Sequence, residues 1–111
     1  MERKGALEGV RVLDLGYFLS APRCGQLLAE QGADVIKIEP HSGDTMRLLM
    51  SLAGAEKILS IVNANKRGII LNLKNETGRE LFKQLVEVSD VVIENFKHGI
   101  MEDMGLGYDD L

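Results

Sequence analysis

Four short apolar runs, separated by helix-length stretches, most constrain how this chain can fold. Val10–Leu15, Ala33–Ile38, Gly68–Leu73 and Asp90–Glu94 are rich in Val, Ile and Leu. Residues of that kind suit a pleated, buried strand. Between the first two runs, Arg23–Gln31 carries Leu27, Leu28 and Ala29, with Gly32 placed as a helix stop. Strand, helix and strand make a βαβ unit, which forces the two strands to be parallel. Near-continuous apolar runs, in place of strict alternation, are the pattern of a sheet covered on both faces. The expected fold class is therefore α/β, an open, mostly parallel, Rossmann-like sheet with helices on both faces.

The remaining elements fit that frame. Met46–Leu52 reads as a short helix or an ordered lid, and Leu48, Leu49 and Met50 as packing residues or a ligand surface. Gly43-Asp44 reads as a turn with Asp44 as helix N-cap. Ile58–Val62 is expected to be a strand. Ile69, Ile70, Leu71 and Leu73 are expected to form a strand that buries itself, fed by an exposed loop at Asn65, Lys66 and Arg67. Asn75 or Glu76 is expected to cap a helix over Thr77–Val88, with Thr77 and Glu80 at capping-box spacing. Its Leu81, Phe82, Leu85, Val86 and Val88 fall largely on one stripe. Ile100–Met104 is a short helical turn before the Gly105-Leu106-Gly107 break.

Composition narrows the function. The net charge of -4 argues against a nucleic-acid or anionic-membrane partner. Cys24 is the only cysteine, so an internal disulfide is excluded and a reducing cytoplasm is expected. No apolar run approaches the ~18 residues of a membrane span. At 111 residues the chain is one small domain or part of a larger one. It stops at Tyr108-Asp109-Asp110-Leu111, which reads as the opening of a new element, so a truncated chain is expected.

In an open α/β sheet, ligands gather at the carboxyl ends of the strands. Gly16–Pro22, Glu39–Asp44 and Asn95–Gly99 are the loops placed there. Gly16–Pro22 lacks the G-x-G-x-x-G of a dinucleotide site, so Glu39 alone does not make one. No nucleophile–base pair is visible. His41 and His98 read as solvated loop residues, Asp14 as a loop-bonding or capping residue, and no metal is expected. Asn63-Ala64-Asn65-Lys66-Arg67 offers two amides and two cations, which either bind a phosphate-bearing ligand or form a solvated polar turn.

The motifs, taken in order, resemble a family. Leu13-Asp14-Leu15, Ala21-Pro22, Leu28-Ala29 and Gly32-Ala33-Asp34-Val35-Ile36-Lys37-Ile38-Glu39 are similar to the N-terminus of class III CoA-transferases, the CaiB/BaiF family. Asn63-Ala64-Asn65-Lys66-Arg67-Gly68-Ile69, Asp90-Val91-Val92-Ile93-Glu94-Asn95-Phe96 and Met104-Gly105-Leu106-Gly107-Tyr108 continue the likeness from Leu7 to Leu111. The resemblance implies part of a large α/β lobe in an interlocked homodimer, or pairing with a C-terminal portion. It implies coenzyme A or acyl-CoA as substrate and transfer of CoA between carboxylic acids, through an anhydride on an aspartate. An acyl-CoA racemase or isomerase, or a non-enzymatic CoA-binding module, is the alternative. By resemblance Leu19, Ser20, Asn63, Lys66, Arg67, Asn95, Phe96 and Met104 contact the CoA thioester. The family's catalytic aspartate lies beyond the position of Leu111, so this chain is expected to be silent alone. The chain also departs from the family. Ala21 stands for a glycine, which brings a Cβ to a loop that runs close to the ligand. Pro40 follows Glu39 where an arginine is usual, Lys97-His98 replaces x-Pro, and Asp103 replaces an arginine.

Overall fold

The structure, a computed structural model, describes residues 5–42, 45–54 and 56–111; the side chains at 45, 46, 50, 56 and 59 fall outside that description. The Gly43-Asp44 turn and the Met50 side chain therefore lie outside the described residues. Among the described residues, four strands form one sheet: β1 (Arg11–Asp14), β2 (Asp34–Glu39), β3 (Arg67–Ile70) and β4 (Val91–Ile93). The order is β3-β2-β1-β4 and every pairing is parallel. The α/β sheet expected from the apolar runs is therefore present.

Alternation along the strands sorts two cores. Leu13, Leu15 and Ile38 face one side, where Phe82 of helix α4 (Glu76–Glu87) is fully buried with Leu71, Met101 and Leu106. Met101 belongs to the short helix α5 (Ile100–Asp103). Val12 and Val35 face the other side, against Leu28 and Ala29 of α1 (Ser20–Glu30). The same alternation puts Asp14 and Lys37, opposite each other in register, on the α1 side. A fully buried Phe side chain contributes about 1.5–3 kcal/mol, so Phe82 is the chief anchor of α4.

Several elements differ from expectation, each for a physical reason. Helix α1 starts at Ser20, before Arg23, because Pro22 sits in the first turn, where its missing N–H costs nothing. Ile58–Val62 is not a strand. It lies in helix α3 (Glu56–Val62), which packs on α2 (Thr45–Ala53) and buries Val62, so tertiary packing overrides its β-branched content. Strand β3 does not bury itself. It is an edge strand whose four residues are all exposed, Ile70 to 62%; Leu71, just beyond it, is the residue that enters the core. Asn75, not Glu76, caps α4 by accepting from the Gly78 N–H at 2.7 Å, which leaves Thr77 inside the helix with no capping box to form. Leu81 and Val88 fall off the buried stripe and are exposed. Among the described residues, no helix is long and apolar enough to cross a membrane.

The amino ends of the strands carry an ion-pair cluster. Asp34 accepts from Arg67 Nε at 2.9 Å and from its second guanidinium nitrogen at 2.6 Å, and from Arg11 Nε at 3.0 Å. The Arg67 hydrogen bonds hold the Asp34 carboxyl below the usual carboxylate range; partial burial opposes this and Arg11 reinforces it. A carboxyl lowered on folding adds stability above its unfolded pKa and loses it as pH falls through the folded one. Thermal melts between pH 5 and pH 2 should therefore fall less steeply for Asp34→Asn than for the parent chain; parallel curves would contradict the pairing.

Candidate functional site

The order β3-β2-β1-β4 reverses direction between β1 and β4: the chain leaves β1 toward β2 on one side, while β4 adds on the other. Such a switch point opens a crevice at the carboxyl ends of the two strands. The loop leaving β1 is fixed there by buried side chains.

Asp14, at the end of β1, is completely buried. Its Oδ1 accepts from the Gly16 N–H at 2.8 Å, and its Oδ2 accepts from Lys66 Nζ at 2.6 Å. Lys66 Nζ also donates to the Pro22 carbonyl at 2.8 Å and to Asn63 Oδ1 at 3.0 Å, and its side chain is 1% exposed. Gly25 of α1 passes directly over this pair; a Cβ there would lie 2.8 Å from Asp14 Oδ2 and 3.2 Å from Lys66 Nζ. Lys37, also buried, donates to the Gly16 carbonyl at 3.1 Å. Both polar groups of the Gly16 residue are thus held by buried charged side chains. Gly16 is required, since a Cβ there would collide with Ala21 Cβ at 2.3 Å. The Ala21 methyl therefore packs against the Gly16 loop at the start of α1.

Tyr17 is held in the same way by Asn95, which follows β4. Asn95 Oδ1 accepts from the Tyr17 N–H at 3.0 Å, and its Nδ2 donates to the Tyr17 carbonyl at 2.8 Å and to Ser20 Oγ at 3.0 Å. One amide therefore ties the β1 exit to the β4 exit across the switch point. The Tyr17 and Phe96 rings stack 5.7 Å apart, and Phe18 takes a left-handed φ of 62°. A left-handed non-glycine residue costs about 1–3 kcal/mol and persists only where its surroundings over-determine it, as they do here.

Beside this loop lies a cavity of about 530 Å³. Its wall is drawn from all four strand exits: Leu15 to Tyr17 after β1, Pro40 to Ser42 after β2, Leu71 to Lys74 after β3, and Phe96, Ile100 and Met104 beyond β4. The volume suits a small organic ligand, and so does an apolar lining with few polar groups.

The expected contact residues therefore separate. Phe96 and Met104 line the cavity; Asn95 and Ser20 are bonded to each other beside it. Leu19 is half-exposed at the N-cap of α1, which has no side-chain cap and no acid in its first turn. Lys66 is not on an exposed loop: its ammonium is buried on Asp14, and Asn63 buttresses it. Asn65 supplies the turn itself, at φ 65°, a conformation asparagine tolerates. Arg67 is held by Asp34 near the amino ends of the strands, away from the cavity. Glu39 pairs with Arg47. The reading from residues alone missed Tyr17, Lys37 and Lys74. Lys37 left a signal, since a lysine inside an otherwise apolar strand needs a buried partner.

The family model for CoA-transferase family III matches residues 7–111. The chain belongs to that family. It is 44% identical over 106 residues to a formyl-CoA:oxalate CoA-transferase of Streptomyces coelicolor, covering 94% of this chain and 26% of that protein. A succinyl-CoA:mesaconate CoA-transferase of Haloarcula marismortui is 45% identical over 113 residues, covering 96% and 28%. A CaiB/BaiF family protein from Brucella suis superposes with a TM-score of 0.88 at 38% identity, covering 97% of this chain and 30% of that one. A hypothetical protein from Mycobacterium tuberculosis gives a TM-score of 0.88 at 34% identity, covering 99% and 31%. This family III chain spans about a quarter of the length of the curated relatives it matches.

Proposed function

We propose that residues 1–111 form the CoA-binding α/β portion of a CoA-transferase that moves CoA between carboxylic acids, and that the cavity at the strand exits takes the CoA thioester. The observation that carries this reading is the cavity itself, which lies at the switch point with Phe96 and Met104 in its wall. Its apolar lining suits the pantetheine chain and the faces of an adenine ring. The uncapped N-terminus of α1 presents free N–H groups and the positive end of the helix dipole, where a thioester carbonyl or carboxylate gains charge. Asn95, Asp14 and Lys37 act one step back: they hold the Gly16-Tyr17 backbone rigid so that ligand meets a preorganised surface.

Asp14 is not the nucleophile in this reading. Its two oxygens are bonded to Lys66 and to the Gly16 N–H, inside the core. The chain therefore binds CoA without turnover. Homodimer assembly belongs to the same proposal, supported by the exposed apolar side chains Leu52 of α2 and Ile61 of α3. So does a cytoplasmic location, which the exposed thiol of Cys24 fits.

Isothermal titration of the chain with CoA tests the reading. Saturable binding is expected, weakened about tenfold (about 1.4 kcal/mol) by Phe96→Ala. No heat of binding at millimolar CoA would sink it.

A further inference from the structure

Tyr17 lines the cavity and is held through both its backbone and its ring. Asn95 accepts from its N–H at 3.0 Å and donates to its carbonyl at 2.8 Å. The preceding residue is fixed as well, with the Gly16 N–H on Asp14 and the Gly16 carbonyl on Lys37. The Tyr17 ring lies close to parallel with that of Phe96, centroids 5.7 Å apart and planes at 23°. Phe18 meets it edge-on at 5.5 Å. Rings at such distances are in direct contact, so no ligand group fits between them. Among the described residues the Tyr17 hydroxyl makes no hydrogen bond, so the side chain enters the wall by its bulk.

The place of this ring decides what it bounds. The Asn95 amide that holds the Tyr17 carbonyl also donates to Ser20 Oγ, at 3.0 Å, in the first turn of α1. Tyr17 therefore stands where the cavity wall meets α1, and a ligand group reaching for that helix end passes beside the ring. A side chain braced by two neighbouring rings, on a backbone pinned at both polar groups, does not yield to a larger ligand. Packed protein resists compression, so such a wall selects by size. One methylene in an apolar pocket is already worth about 10–200-fold in discrimination.

Resting on the CoA reading above, we propose that Tyr17 is a specificity-determining residue whose ring, braced by Phe96 and Phe18, limits the size of the acyl group carried on the thioester. Compact acyl groups are accepted, and bulky aromatic ones are excluded.

The test is isothermal titration of the parent chain, Tyr17→Phe, Tyr17→Leu and Tyr17→Ala with CoA, acetyl-CoA and benzoyl-CoA. The quantity compared is each protein's ratio of acetyl-CoA to benzoyl-CoA affinity, which cancels any general loosening of the loop. CoA itself has no acyl group and reports that loosening alone. The parent and Tyr17→Phe should share one ratio, in favour of acetyl-CoA. Tyr17→Ala should lower it about tenfold or more, and Tyr17→Leu should fall between. Should Tyr17→Ala not fold, the lowered ratio of Tyr17→Leu carries the test. An unchanged ratio in the smaller variants would overturn the assignment while leaving the CoA reading intact. A parent with no preference for acetyl-CoA, or a Tyr17→Phe ratio as low as that of Tyr17→Ala, would overturn it too. Failure of the parent chain to bind CoA would overturn both.

Discussion

Lys66→Met is expected to destabilise the chain by about 3–5 kcal/mol, because it strands the Asp14 carboxylate in the core without its countercharge. Asp14 is fully buried, and Lys66 is the only cation paired with it among the described residues. A small domain is stable by only about 5–15 kcal/mol, so the urea midpoint should move far or the transition be lost. The double variant Asp14→Asn with Lys66→Met should recover much of the loss. Asn keeps an acceptor for the Gly16 N–H, and replacing both charges of a buried pair is often near neutral. Were Lys66 instead a solvated loop residue, the single variant would lie within about 0.5 kcal/mol of the parent. The double variant would then recover nothing.

Gly78→Ala should destabilise by about 3 kcal/mol, at the upper end of overpacking. Helix propensity alone points the other way, since Ala is favoured over Gly in a helix by about 1 kcal/mol. The sign is decided by the approach of α4 to the Asn72 carbonyl, where an added Cβ meets a backbone oxygen at 1.9 Å. A backbone atom cannot swing aside as a side chain would. Relief would have to move the Asn72–Lys74 turn, which forms part of the cavity wall. CoA affinity should therefore fall together with stability in this variant, and a stabilised Gly78→Ala would refute the packing described here.

Both effects bear on what could be read from the residues. The strands were legible because their apolar runs are near-continuous and bounded by Gly32, Pro40 and polar turns. The Asn75 cap was legible because it is a local device. Helix α3 was not, because Ile58, Ile61 and Val62 carry β propensity and only packing on α2 makes them helical. The exposure of β3 depends on its being an edge strand, a fact of topology that no local window contains. The site divides along the same line. Phe96 and Met104, which line the cavity beyond β4, were marked by the family resemblance and not by any local pattern of their own. Lys66 meets Asp14 across 52 positions of sequence, and Arg67 meets Asp34 across 33. The partners that occupy these cations come from other strands, so their side chains looked available until the sheet was assembled.

The measurement that most directly tests the central claim is the two-dimensional amide NMR spectrum of the chain, recorded with and without CoA. The account predicts dispersed peaks, with CoA-induced shifts at Tyr17, Leu73, Lys74, Phe96 and Met104 around the cavity. The Arg67 amide, near the amino ends of the strands, should stay in place. Shifts centred on Asn65 to Arg67 with a silent cavity, or a dispersed spectrum that ignores CoA, would contradict it.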